Sequence, residues 1–246
     1  MEIRLVPVLT FFLSFVLGPN PASAALVSQL GGAVVYDTDL DISYVANANL
    51  ALSNLFGLST GSYPIHPDDS TALYGGLITS FGGMSYSGAL YYIDAMNAAN
   101  YLGFSDWRLP ATLVPDAGCT GVALSTGFGC TGSELGHLFY TELGATSGTS
   151  VLATGNPTEL AKFSNLLNAS TGSMYWSAMD YNSDPNTAYF FRYDSGQQGG
   201  ASKNTSVGVW AVRDGTSAVV PVPPAFLMFI SGLLGLIGIA RRKRTA

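Results

Sequence analysis

Apolar and polar residues divide this chain into three stretches of different character. Leu5 to Gly18 is uncharged and largely apolar, Ala225 to Ala240 is uncharged throughout, and the residues between them mix the two kinds at the spacings of a folded domain. In that middle stretch Gly32–Tyr36 alternates weakly and predicts an entry strand. Gly61–Ser85 is rich in Gly, Ser, Pro and Asp and reads as loop with at most a short ordered piece. A helix is expected from Ser87, with Leu90, Tyr91, Ala95, Ala98 and Leu102 at helical spacing and Gly103 ending it. Thr131–Leu143 reads as a second helix with Leu135, Leu138 and Phe139 inward. Asn156 caps a third, with Pro157 in its first turn and Glu159 three residues after the cap. Met174–Ala178, Ala188–Tyr193 and Val207–Arg213 read as strands separated by turn residues. Helices first and a strand meander later make the fold class α+β.

The ends have their own logic. Arg4 precedes the first apolar block, and Pro19, Pro21 and Ala22-Ser23-Ala24-Ala25 follow it. A basic start, a short apolar segment and small residues at A-x-A spacing make residues 1–24 a secretory signal, cut after Ala24. A buried helix is the competing reading, and Pro7, Pro19 and Pro21 oppose it by removing amide donors. Residues 25–215 are then one domain, and 216–246 a C-terminal segment with a transmembrane helix over about 225–240. Sixteen helical residues span about 24 Å, a little short of a hydrocarbon core of about 30 Å. Arg241, Arg242, Lys243 and Arg244 hold that end in the cytoplasm, which places the domain outside.

The segment Val220-Pro221-Val222-Pro223-Pro224-Ala225, followed by the apolar helix and the basic tail, resembles the PEP-CTERM sorting signals, closest to their VPLPA-like variants. The resemblance implies processing near the proline motif by an exosortase of a Gram-negative bacterium that makes exopolysaccharide. It also implies a transient inner-membrane anchor and a final place at the cell surface or in the extracellular matrix. Prolines stand where the commonest family form has Pro-Glu-Pro.

Charge narrows the partners. Residues 25–215 hold five basic residues (Arg108, Lys162, Arg192, Lys203, Arg213) against fifteen acidic ones, a net charge of −10. Such a surface repels phosphate backbones, so a nucleic-acid partner is not expected. Cys119 and Cys130 flank ten residues in an exported domain and predict a disulfide; a redox or metal site is the alternative, and zinc is poorly served because no His lies nearby. Asp37, Asp39 and Asp41 stand at alternate positions like the start of a calcium loop. Ile42 replaces its glycine and Ala48 its final Glu, which excludes an EF-hand and leaves a polar turn or an irregular calcium site. No other cofactor is expected.

The motif Asp106-Trp107-Arg108-Leu109-Pro110 follows the helix Leu90–Leu102. Glu134-Leu135, Tyr175-Trp176-Ser177, Ala188–Phe191 before Gly196, and Ala211-Val212-Arg213 come after it in that order. In this order they resemble the Lcl C-terminal domain-like family of secreted bacterial domains. Val35–Leu50 also resembles the domain entry of exosortase-sorted relatives, with Tyr44 where Trp is usual. The resemblance implies a single C-type-lectin-like or formylglycine-enzyme-like domain whose loops carry specificity. In it Trp107 and Trp176 suit burial beside a polar partner, and Arg108 and Arg213 suit pairing with Asp106 or Glu134. A sharper reading makes the Trp-Arg pair a ligand site that stacks on sugars.

Catalysis finds little to use. His66 and His137 are the two histidines, and neither a Gly-x-Ser-x-Gly elbow nor a phosphate-binding glycine loop occurs. Glu134 and His137 are three apart and could supply two metal ligands, but no second such pair completes a centre; the plainer reading is a helix-start acid and a partly exposed His. The two cysteines could mimic the copper-binding pair of formylglycine-generating enzymes, but they sit in a different part of the chain. The expectation is an exported recognition or adhesion protein that is not an enzyme and binds extracellular polysaccharide or another surface polymer. A non-binding structural glycoprotein of the matrix is the alternative, and a secreted metal-dependent enzyme comes third.

Overall fold

The fold comes from a computed structural model that describes residues 26–71, 73–167 and 172–217. The signal segment, the sorting motif, the expected helix over 225–240 and the basic tail lie outside the described residues. Among the described residues no helix is long and apolar enough to cross a membrane.

The domain is α+β, but its strands do not wait for its helices. An antiparallel meander of β1 (Leu26–Gln29), β2 (Val34–Asp37) and β3 (Ile42–Val45) opens it. Next come β4 (Gly61–Tyr63), β5 (Gly76–Ile78) and β6 (Gly83–Met84), in the stretch expected to be loop. Strands of two or three residues carry no periodic signal, so tertiary pairing alone reveals them. Then follow α1 (Tyr86–Ala98), the short α2 (Glu134–His137) running into a π-helical turn over Leu138–Glu142, α3 (Val151–Thr154) and α4 (Pro157–Leu160). The remainder is β7 (Met174–Asp180), β8 (Thr187–Arg192), β9 (Gln198–Ser202), β10 (Val207–Gly208) and β11 (Val212–Asp214).

Two sheets organise these elements, one of order β1-β2-β3-β11 and one of order β4-β5-β6-β10-β7-β8-β9. The expected last strand Val207–Arg213 is in fact divided between them. β10 pairs with β6 and β7 in the large sheet, and β11 pairs with β3 in the small one. Val209, Trp210 and Ala211 make the crossing, and all three are buried. Trp210 fixes the corner: its indole N–H donates to the Val45 carbonyl at 2.7 Å, while its ring packs against Tyr44, Phe163, Tyr175 and Tyr193. The first and last parts of the domain thereby share a sheet.

α1 starts where Ser85 caps it, the side-chain oxygen accepting from the Gly88 amide at 3.3 Å. Gly88 lets the helix lie directly on β5, since a Cβ there would stand 2.4 Å from the Leu77 carbonyl oxygen. The buried face is Ala89, Tyr92, Ile93 and Met96, offset from the predicted set; Leu90 and Tyr91 are only half-buried and Ala98 is exposed. Apolar residues on nearly every side of this helix hide its true inward face. In the second helix Leu135, Leu138 and Phe139 do point inward.

Lys203 is the least expected member of the core. It is 1% exposed, and its ammonium contacts Asp69 at 2.8 Å and Asp180 at 2.6 Å, donates to Ser70 Oγ at 2.8 Å, and lies over the Tyr86 ring. Asp69 is fully enclosed and accepts from Ser87 Oγ at 2.6 Å through its other oxygen. Removing the cation strands a buried carboxylate, so Lys203→Met is expected to cost about 3–5 kcal/mol. Adding Asp69→Asn is expected to recover part of that loss, a non-additivity that urea unfolding of the two variants and their combination measures.

Candidate functional site

The residues of the Asp106–Pro110 motif are brought together at the seam between α1, α2 and β11. Asn97 of α1 brackets the Trp107 backbone, its Nδ2 donating to the carbonyl at 2.9 Å and its Oδ1 accepting from the amide at 2.8 Å. The Trp107 indole donates to the Tyr101 carbonyl at 3.1 Å, and its ring meets Tyr101 and Phe104. Trp176 is likewise buried, donating to the Met84 carbonyl at 2.9 Å with Tyr86 edge-on. Neither ring offers a face to solvent, which corrects the reading of the Trp-Arg pair as a sugar platform. Leu109 and Pro110 are buried as well, and the Pro110 carbonyl accepts from the Ala178 amide at 2.8 Å.

Arg108 forks onto Glu134, Nη1 and Nη2 reaching Oε2 at 2.8 Å and Oε1 at 2.7 Å, while Nε and Nη2 also reach Asp214. Its main chain exchanges hydrogen bonds with Val212 at 2.7 and 2.9 Å. These partners hold the guanidinium charged, above its ordinary range, Glu134 first among them. Arg213 forks onto Asp106 at 2.8 and 2.9 Å and covers the Phe104 ring. Hydrogen bonds from Arg213 hold the Asp106 carboxyl below the usual carboxylate range. Both arginines thus do what the pairing argument expects.

Cys119 and Cys130 are disulfide-bonded. Asp116 braces the loop they close, accepting from the Gly118 and Gly132 amides at 2.8 and 2.9 Å. The three acidic residues of the expected calcium loop part company. Asp37 turns inward, with Oδ1 accepting from the Asp39 and Leu40 amides at 2.9 and 3.1 Å, while Asp41 accepts from the Tyr36 hydroxyl at 2.8 Å. Asp37 thus caps a polar turn, the plainer of the two readings of this segment. Glu134, spent on Arg108, does not join His137 either.

His137 instead faces Asp37 and Glu142. Its Nε2 lies 3.8 Å from Asp37 Oδ2 and 3.4 Å from Glu142 Oε1, and the three donor atoms lie within 4.8 Å of one another. The π-helical turn makes this arrangement, closed by the Leu143 amide donating to the Leu138 carbonyl at 2.9 Å. Residues five apart on a regular α-helix stand about 140° apart around the axis. The wider turn brings His137 and Glu142 to one side. Burial pushes the Asp37 carboxyl up, and burial together with the Asp37 charge pushes Glu142 up. His66, expected simply in a loop, is buried; its Nδ1 accepts from the Asp68 amide and its Nε2 meets Asp94 at 3.0 Å.

A groove of about 500 Å³ is lined by Asn49, Leu52, Thr79, Phe81, Gly83 and Ser206. Phe81 stands at the tip of the β5–β6 hairpin and is 79% exposed. Thr79 holds the tip, its amide donating to the Gly83 carbonyl at 2.9 Å and its hydroxyl donating to the same oxygen at 2.7 Å. Gly82 supplies the positive φ of 79°, and a Cβ there would strike Asn49 Oδ1 at 2.4 Å. That Asn49 oxygen is buried without a hydrogen-bond partner. Nothing in the sequence pattern marks Phe81, because an exposed aromatic in a Gly-rich loop looks like any other loop residue.

Asp106 is half exposed, so screening discounts its ion pair to about 0–1 kcal/mol. Its folded pKa is depressed, so its contribution is present above the unfolded carboxylate pKa and lost as pH falls through the folded value. Asp106→Asn is accordingly expected to lower stability slightly at pH 7 and to flatten part of the acid-side decline in urea midpoints. Arg108→Lys, which loses the fork onto Glu134, is expected to cost about 1.5–3 kcal/mol by the same assay. No family model, curated protein or solved structure matches the chain, so its function is argued from these residues.

Proposed function

We propose that this chain is an exported recognition protein of the cell surface or extracellular matrix, carrying one lectin-like domain that binds neutral polysaccharide. Phe81 carries the reading: a bare aromatic ring on a braced hairpin, beside a groove of mixed apolar and polar lining. Sugar rings stack their C–H faces on such aromatics, and an apolar groove with a few fixed polar groups is the usual form of a binding site.

The distribution of charge supports a neutral ligand. Each of the five cations of residues 25–215 is paired internally: Arg108 with Glu134, Lys162 with Glu159, Arg192 with Asp194, Lys203 with Asp69 and Arg213 with Asp106. The remaining net charge is acidic, which disfavours a polyanion. The disulfide fits an oxidising compartment. Export and exosortase sorting rest on Ala22-Ser23-Ala24-Ala25 and on Val220–Ala225 with the basic tail.

The purified mature protein is expected to bind neutral matrix polysaccharide in a pull-down, and Phe81→Ala to weaken binding about tenfold with an unchanged circular dichroism spectrum. Tenfold corresponds to about 1.4 kcal/mol, a fair value for one stacked ring. Equal binding by Phe81→Ala, or preference for acidic over neutral polymers, would count against the proposal.

A further inference from the structure

We infer that Asp37, His137 and Glu142 form a binding site for a divalent transition ion of the zinc class, which pins β2 to the α2 turn. Three donors from two distant parts of the chain converge here: one imidazole nitrogen and two carboxylate oxygens. The independent observation is that all three atoms that face one another lack a hydrogen-bond partner. Asp37 Oδ2, His137 Nε2 and Glu142 Oε1 are each buried and unsatisfied. The Asp37 side chain is 0% exposed and that of Glu142 2%.

Unpaired buried polar atoms are costly, and native proteins rarely leave three in one place. A hydrogen bond between His137 and Glu142 could relieve two of them, but it would leave Asp37 Oδ2 facing a second carboxylate. A cation answers all three at once. Ligands about 2.0–2.1 Å from a tetrahedral zinc stand about 3.3 Å apart. His137 Nε2 stands 3.4 and 3.8 Å from the two oxygens, and all three atoms lie within 4.8 Å of one another, so an ion seated among them draws the ligands inward.

The donor set also selects the ion. Calcium takes six to eight oxygens, whereas this site offers two carboxylates and an imidazole. Asp41 is engaged by Tyr36. His137 keeps 13% exposure, which leaves a side through which an ion enters and a water completes the shell. Cys119 and Cys130, joined to each other, are out of competition. Glycan binding plays no part in this argument, and the groove at Phe81 is lined by other residues.

Protein stripped with EDTA and desalted is titrated with Zn²⁺, Mn²⁺ and Ca²⁺ by calorimetry, and metal retained through gel filtration is counted by mass spectrometry. One Zn²⁺ per chain is expected, bound at least about tenfold tighter than Ca²⁺, with a rise in Tm of about 5 °C at saturation. Glu142→Gln and Asp37→Asn keep side-chain volume, and Asn keeps the capping oxygen. Each is expected to weaken Zn²⁺ by more than about 100-fold, at the upper end of what indirect partners cost. Each should also lose the visible d–d band of the Co²⁺ form, whereas His66→Gln should leave stoichiometry and spectrum intact. Absence of stoichiometric Zn²⁺ in the parent protein overturns the inference. So does unchanged binding in Glu142→Gln and Asp37→Asn.

Discussion

Arg108 is the point through which the last strand of the domain is held against its helices. Its side chain grips Glu134 at the start of α2 and Asp214 in β11, while its backbone pairs with Val212 of the same last strand. A planar fork with five donors serves two carboxylates, one of them through two parallel bonds, and leaves the main chain free to pair. The cost of desolvating this cation is met by the bidentate geometry and by burying only part of the group. Around it the aromatic core fills in, from Trp107 on one side to Tyr44 and Trp210 on the other.

Much of this frame is legible from the residues alone. Trp107 and Trp176 each carry a large apolar surface and one donor, so burial against a carbonyl is the natural outcome, and both find one. Arginines in a strongly acidic domain must meet carboxylates, and Arg108 and Arg213 do. Two cysteines eleven residues apart meet as a disulfide. Asn156, with Pro157 after it, caps a helix as its side chain allows, accepting from the Thr158 amide at 2.9 Å.

The rest depends on contacts that no local pattern encodes. The crossing of Val209–Ala211 from one sheet to the other is invisible in a run that reads as one strand, because both halves are equally apolar. Lys203 lies in a polar turn sequence and gives no hint that it is enclosed by Asp69, Asp180 and Tyr86. The π-helical turn is a one-residue change in helical winding, yet it decides that His137 faces Glu142 and Asp37 and not Glu134. At the candidate sites, then, the sequence offers residue types while tertiary structure chooses the partners. The five cations illustrate the consequence: each is committed inside the domain, which leaves an acidic exterior on which an uncharged aromatic contact stands out.

The proposed function requires a domain that matures outside the cytoplasm, free of the two apolar end segments. Intact-mass analysis of the protein recovered from the surface or matrix of its native cells tests that most directly. The account predicts a product that starts at Ala25, ends near the proline motif and is two hydrogens lighter than its reduced form. A full-length chain with free thiols, recovered from the cytosol, would contradict it.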